Sequence, residues 1–481
     1  MLTTRERLGS GGGRLAAVAA LVVVIAVLAS RVAFLHAPVI DYDEGVYWLS
    51  MRSMQAGHPL FGAVYSSQPP AFLAIAEPIW AFLGSGIAAG RVVMLAWWVA
   101  AIPAGAYIGW RLGGGVAAAA VAVVLCVDPL GVRQSVVLQP DGPGTALAVI
   151  AVALGVGSVS SRNPRRADLL AALTGAALAL GELTKLFDIG AIPPLVALLL
   201  FTRQDRGRLA MAAGLGAVLA AVVVLLPYAR DLSTVWNQAV GTHLGTRGIT
   251  YGIHLGQAML AHTWVIDALA AFGALVGWRR HPRLVLIGLL WVGGAVATMA
   301  TLNPLWPHHS VSATPGLALL DAAGFSSVFG WLANQRAGKI LATSFSLAGV
   351  GGAVAILLVS GVLLFPRSTS PASAEVVQAL DRLTPPSGYV LSDDEYDQAV
   401  ADRQAPPQFV DTSRTRITGQ GITATTLESA VTSDPVCAVL FQSGKLASVA
   451  GFQGWVAANF TSKVEIGRGV TLYLRPGCGS R

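Results

Sequence analysis

Asp41-Tyr42-Asp43-Glu44-Gly45 puts three carboxylates within four residues, directly after the first long apolar segment. Acids spaced this way fit three chemistries. A carboxylate can serve as a general base, taking the proton of an attacking hydroxyl while its neighbours position or tune it. Clustered carboxylates also suit a hard metal ion. Finally, Asp43 and Glu44 precede a helix-compatible stretch, where they would favour its positive end. Capping accounts for one or two of these acids but not for all three. Carboxylates without partners are costly in lipid, so the position predicts a solvent-facing site held against a membrane surface.

Further along, Gln68-Pro69-Pro70-Ala71-Phe72 forces a rigid, extended entry to the next segment, because proline fixes φ and removes a donor. Asp128-Pro129 and Gln139-Pro140-Asp141-Gly142-Pro143 flank Arg133. Asp141 fits either a second carboxylate for the first cluster or a turn former. Lys185 and Asp188 fall at a predicted membrane boundary, which suits a local ion pair, a snorkelling lysine or a contact with a lipid phosphate. Arg230, His243, Arg247, Tyr251 and His254 share one connection, and Trp306, His308 and His309 another. Neither histidine spacing makes a zinc motif on a helix. Cationic and hydrogen-bonding groups just above a bilayer are better suited to a phosphate.

The elements that must position these residues are mostly membrane helices. The chain has 481 residues, 54% hydrophobic and 12% charged, against about 25% charged in a soluble domain. Eleven apolar stretches are predicted as spans, at 15–35, 88–110, 115–127, 143–159, 167–183, 187–202, 209–228, 259–278, 284–300, 311–331 and 340–365. Several are short enough to be half-buried helices instead. Arg and Lys cluster at alternate connections, among them Arg162, Arg165 and Arg166, and Arg279, Arg280 and Arg283. The positive-inside rule makes those connections cytoplasmic. The N-terminus is then inside, and both the carboxylate cluster and the C-terminal part are outside. The net charge of +7 belongs to the apolar part and calls for no nucleic-acid partner. The first apolar run exceeds a typical signal-peptide core, which favours an uncleaved anchor.

The expected organisation is a flexible cytoplasmic tail (1–14), a membrane domain (15–365) with a long external loop (36–87), and a soluble external α/β domain (366–481). In the loop, Glu44–Gln55 has helical spacing with Tyr47, Trp48 and Met51 on one side, and is expected to lie along the interface. In the last domain, 372–383 and 427–432 read as helical and 388–392, 436–442 and 470–474 as strands. Cys437 and Cys478 lie there, in a compartment that permits a disulfide.

Asp43-Glu44 just after the first span, Tyr47 three residues on, Gln68-Pro69-Pro70, then Gly84 and Arg91 leading into the next span together form a pattern. It resembles the protein O-mannosyltransferases and lipid A aminoarabinose transferases (glycosyltransferase family 39-like). Leu183-Thr184-Lys185 and Pro307-His308-His309-Ser310 through Pro315 resemble later elements of that family. The C-terminal part, with Leu391-Ser392-Asp393-Asp394 and Val410-Asp411-Thr412-Ser413, looks like that of actinobacterial members, and no chemistry is assigned to it. The resemblance implies a GT-C membrane glycosyltransferase with a polyprenyl-phosphate-linked sugar donor. An envelope lipid, glycan or protein would be the acceptor on the outer face. It implies Asp43 as general base in an inverting transfer, with Glu44 and Asp141 in support. Asp41, Tyr47, Gln68, Arg91, Lys185, Arg247, His308 and His309 are the substrate and lipid-phosphate candidates, with Lys185 and Arg247 leading. Gln68 stands where many relatives carry lysine, so one expected phosphate contact is missing, and Ser67 stands where they carry an acid, which weakens the case for a bound divalent metal. The donor sugar, mannose or arabinose, is left open. The competing readings are a secondary transporter, resting on Asp267 and Asp321 nearer span interiors, and a non-catalytic envelope scaffold.

Overall fold

A computed structural model describes residues 11–38, 41–186, 188–202, 205–245, 252–260, 264–335, 338–364, 371–419, 421–467 and 469–478. Each of the eleven stretches is occupied by helix. Among the described residues, five helices are long and apolar enough to cross a membrane: Ile87–Gly113, Asp141–Ser160, Arg206–Tyr228, Pro282–Met299 and Pro307–Ala333. They place the chain in a membrane. Others fall short of that count. Gly115–Val127 has 13 residues and Ile192–Leu200 has 9, which at about 1.5 Å per residue is too little for a core of about 30 Å.

Small residues let these helices approach closely. A Cβ on Gly175 would stand 1.8 Å from the Ala213 carbonyl oxygen, and one on Gly216 would stand 1.9 Å from that of Ala172. Helices Pro164–Glu182 and Arg206–Leu225 therefore pack backbone against backbone.

The first loop forms helices Asp43–Gln55 and Ala71–Phe82. The expectation that the first of these lies on the interface is corrected. Residues 44–51 and Ser53 are all buried, and Tyr47, Trp48 and Met51 share a core with Phe72, Trp80, Met94 and Val410. The reason is a cover supplied by the C-terminal part. The lipid-suited surface of the loop is instead the end of the second helix, where Ile79 and Leu83 are exposed and Phe82 is 89% exposed.

Residues 371–478 build a four-stranded sheet flanked by helices. The order is β1 (Tyr389–Ser392), β2 (Val436–Phe441), β4 (Val470–Leu474), β3 (Ser462–Ile466). β1 runs parallel to β2, while β4 is antiparallel to both its neighbours. β2 is buried along its whole length because both faces are covered. Val436, Val439 and Phe441 face a core with Leu427, Phe452 and Val456, and Ala438 and Leu440 face Val376 and Leu380. Cys437 and Cys478 form a disulfide with Cα atoms 5.5 Å apart. Strand β3, unpredicted from sequence, is an exposed edge whose Ser-Lys-Val-Glu-Ile run lacks an apolar signature.

Candidate active site

The acid cluster divides in three. Asp43 opens helix Asp43–Gln55. Asp41, two residues earlier, accepts the Asp43 amide at 3.1 Å and pairs with Arg133. It thus anchors the helix start, and both Asp41 and Arg133 line the cavity described below. Glu44 points the other way. Arg91 donates to it from Nε (2.8 Å) and Nη2 (2.7 Å), and both side chains are fully buried. Arg91 Nη1 also reaches the carbonyls of Leu35 (3.1 Å) and Ala37 (2.6 Å). Neither side chain lines the cavity described below. Arg91 as a phosphate ligand and Glu44 as support for the base are both corrected: the pair desolvates itself to join the first loop to the next span. Among the described residues, Asp41, Asp43 and Glu44 do not form a common set of ligand atoms.

Asp43 and the Asp41–Arg133 pair line a cavity of about 840 Å³, within the usual range for a small-molecule site. Asp43 Oδ2 accepts from Gln139 Nε2 at 3.1 Å. The Asp43 carboxyl is held well above the usual carboxylate range, first by burial, then by the charges of Asp41 and Asp411, against the pull of Lys185 and with Asp141 adding to the rise. That makes Asp43 a stronger base than a surface aspartate.

Asp141 opens helix Asp141–Ser160 behind the cavity wall, and Lys185 Nζ lies 3.3 Å from its Oδ2. Asp141 is therefore a partner of the lysine, not a second base. Lys185, Tyr47, Gln68, His308 and His309, all candidates from the sequence, line the cavity. Tyr47 is fixed edge-on against Phe72. Gln68 is held by its backbone, which exchanges hydrogen bonds with Ser66 Oγ. The His308 and His309 rings meet edge to face at 4.5 Å. His243 also lines the wall, its Nε2 3.0 Å from the Ser67 carbonyl, and burial lowers its pKa. Arg230 and His254 are exposed and outside the lining. Arg247 and Tyr251 lie outside the described residues. Asp267 and Asp321 belong to helices Trp264–Gly277 and Thr314–Ala333, away from the cavity.

Asp141, His308 and His309 bring ligand-type atoms within 4.8 Å of one another, a set that matches a transition ion in donor type. Two of the three are already engaged. Asp141 holds Lys185, and His309 Nδ1 accepts the Trp306 amide at 3.3 Å. In this arrangement the positive charge beside Asp141 is the lysine's.

The cavity has a second wall that sequence reasoning left without chemistry. Asp411, Arg414, Arg416 and Lys445, all from the C-terminal part, line it. Arg416 stacks over the Tyr65 ring at 3.7 Å, and its Nη1 donates to the Asp411 carbonyl at 2.7 Å. The available signal was the polar run Asp411-Thr412-Ser413-Arg414-Thr415-Arg416, in a domain read for its helices and strands and assigned no chemistry.

No family model matches the chain, and no curated protein matches it in sequence. Solved structures do match. ArnT from Cupriavidus metallidurans in the apo state superposes with a TM-score of 0.65 at 12% identity, over 95% of this chain and 97% of that one. The same protein bound to undecaprenyl phosphate gives 0.66 at 13%, over 97% and 98%. The apo oligosaccharyltransferase of Archaeoglobus fulgidus gives 0.60 at 12%, over 92% of this chain and 73% of that one. Across nearly its whole length, then, the chain shares the fold of these proteins.

Proposed function

We propose that the chain is a membrane glycosyltransferase that takes a sugar from a polyprenyl-phosphate donor and passes it to an envelope acceptor on the outer face. The observation that carries this reading is the placement of Asp43. It is an unusually basic carboxyl on a cavity at the mouth of apolar helices, with the Lys185 ammonium on the same cavity. Support comes from the fold, since one matching structure holds undecaprenyl phosphate and an archaeal one a dolichol-phosphate. The alternating basic connections support an outward-facing cavity and C-terminal domain.

In this reading the acceptor hydroxyl gives its proton to Asp43 as its oxygen attacks the anomeric carbon. The bond from that carbon to the phosphate oxygen breaks, and the phosphate leaves with the electron pair. A single displacement inverts the anomeric centre. Gln139 orients Asp43, and Lys185 meets the charge that develops on the leaving phosphate, where a preplaced cation matters most. Asp141 holds Lys185 in position. His243, His308 and His309 offer hydrogen bonds to the phosphate from the same cavity.

Purified protein incubated with polyprenyl-phosphate mannose or arabinose and a membrane extract tests this reading. Donor-dependent transfer that is absent without the protein supports it. No turnover of either donor, or transfer that leaves the anomeric configuration unchanged, contradicts it.

A further inference from the structure

The C-terminal part contacts Tyr42, the residue next to the proposed base. Tyr42 immediately precedes Asp43, and it caps the helix with no side-chain hydrogen bond. Lys445 Nζ sits 3.5 Å from the centre of its ring and 3.6 Å from Glu395 Oε2. Glu395 is fully buried. Its Oε1 accepts from both the amide (2.6 Å) and the hydroxyl (2.7 Å) of Thr412, next to the cavity residue Asp411. The loop carrying Lys445 is pinned by Asp393, which accepts the amides of Gln442, Ser443 and Leu446. Two residues beyond Asp43, at Gly45, the two parts meet backbone to backbone. A Cβ on Gly45 would lie 2.3 Å from the Glu395 carbonyl carbon and from the Tyr396 nitrogen.

A buried ion pair is a weak device for stability, since well-packed apolar residues of the same volume do as well or better. This one lies in the cavity wall beside Asp43, with its cation on the cavity side. We propose that Lys445 and Glu395 are positioning residues for Asp43, acting through Tyr42, so that the C-terminal part completes the active site rather than merely covering it. The proposal rests on the reading of Asp43 as the base. Asp41, Asp141, Asp411 and Lys185 act electrostatically on Asp43, and Tyr42 and Tyr47 carry the adjoining hydroxyls. Glu395, Asp394 and Tyr42 do so around Lys445. Lys445 is the cation on the C-terminal side of this set that contacts the residue next to Asp43.

The experiment compares full-length wild type with Lys445→Met, Lys445→Arg and Glu395→Gln, measuring donor-dependent transfer against pH and hydrogen exchange over residues 41–50. Loss of the lysine charge is expected to move the acid limb of kcat/KM to higher pH by about half a unit, and loss of the glutamate charge to move it down by about as much. Lys445→Arg keeps the wild-type limb. Exchange over 41–50 speeds up in Lys445→Met and Glu395→Gln. Unchanged limbs, or a uniform loss of rate at every pH in both charge variants, would overturn the proposal. Wild type inactive with every donor would instead refute the transferase reading. Hydrogen exchange then decides the positioning, and wild-type exchange in both variants overturns it.

Discussion

The Glu44–Arg91 pair separates structure from chemistry within the acid cluster. With Arg91 1% and Glu44 0% exposed, both charges are fully desolvated. The guanidinium satisfies two carboxylate oxygens and reaches the carbonyls of Leu35, Ala37 and Pro38. Arg91→Met strips the buried Glu44 of its cation and leaves those carbonyls without their donor. Breaking a buried pair from one side costs about 3–5 kcal/mol, and the orphaned carbonyls put this site at the upper end. Arg91→Lys should cost nearly as much, because one ammonium cannot replace a planar fork. Glu44→Gln should fall in the same range. Glu44→Met with Arg91→Met removes both charges and should cost less than the sum of the single changes, since residues in one ion pair are not additive. The assay is thermal unfolding of the detergent-purified chain, with transfer rates taken below every midpoint. The single variants should melt early and still transfer sugar while folded. If Glu44→Gln melted like wild type and yet lost transfer, the carboxylate would be acting at the chemistry and the reasoning would fail.

Asp43 carries the opposite signature. Its folded-state pKa lies above that of the unfolded chain, so the native state binds the proton more tightly and loses stability as pH rises through that interval. Asp43→Asn should therefore raise the melting temperature at neutral pH, with the gain vanishing below about pH 4, where the unfolded carboxyl is itself protonated. Lys185→Met should lower kcat by about 10²–10³-fold, the usual effect of removing one group that stabilises developing charge, and chemical-quench kinetics would show it. Cys437 and Cys478 close a separation of 41 residues. Replacing both with serine should cost about 4 kcal/mol on the loop-entropy estimate, read as a lower midpoint that reductant no longer changes.

The five long membrane helices were legible because each is a long apolar run, and runs need no partner to be seen. Helix Asp43–Gln55 was also placed correctly, but its environment was not. Tyr47, Trp48 and Met51 looked like a lipid-facing side because the residues that cover them, such as Val410, lie more than 350 positions away in sequence. The same separation hid the partners of the acids. Nothing local to Asp41-Tyr42-Asp43-Glu44 says that Arg133 takes the first and Arg91 the last, or that Glu44 turns away from the cavity that Asp41 and Asp43 line. Lys185 was recognisable as a cation, and the His308-His309 pair as hydrogen-bonding groups, near span ends. Lys445 and Arg416 were not, because one basic residue in a soluble domain reads as solvated surface until the fold brings it to a cavity.

The most direct test of the account is a single-turnover comparison of wild type and Asp43→Asn, with polyprenyl-phosphate sugar bound at saturating concentration. The account predicts that both bind the donor equally, while the variant transfers the sugar at least about 10²-fold more slowly and melts no earlier than wild type. Transfer by Asp43→Asn at the wild-type rate would contradict it.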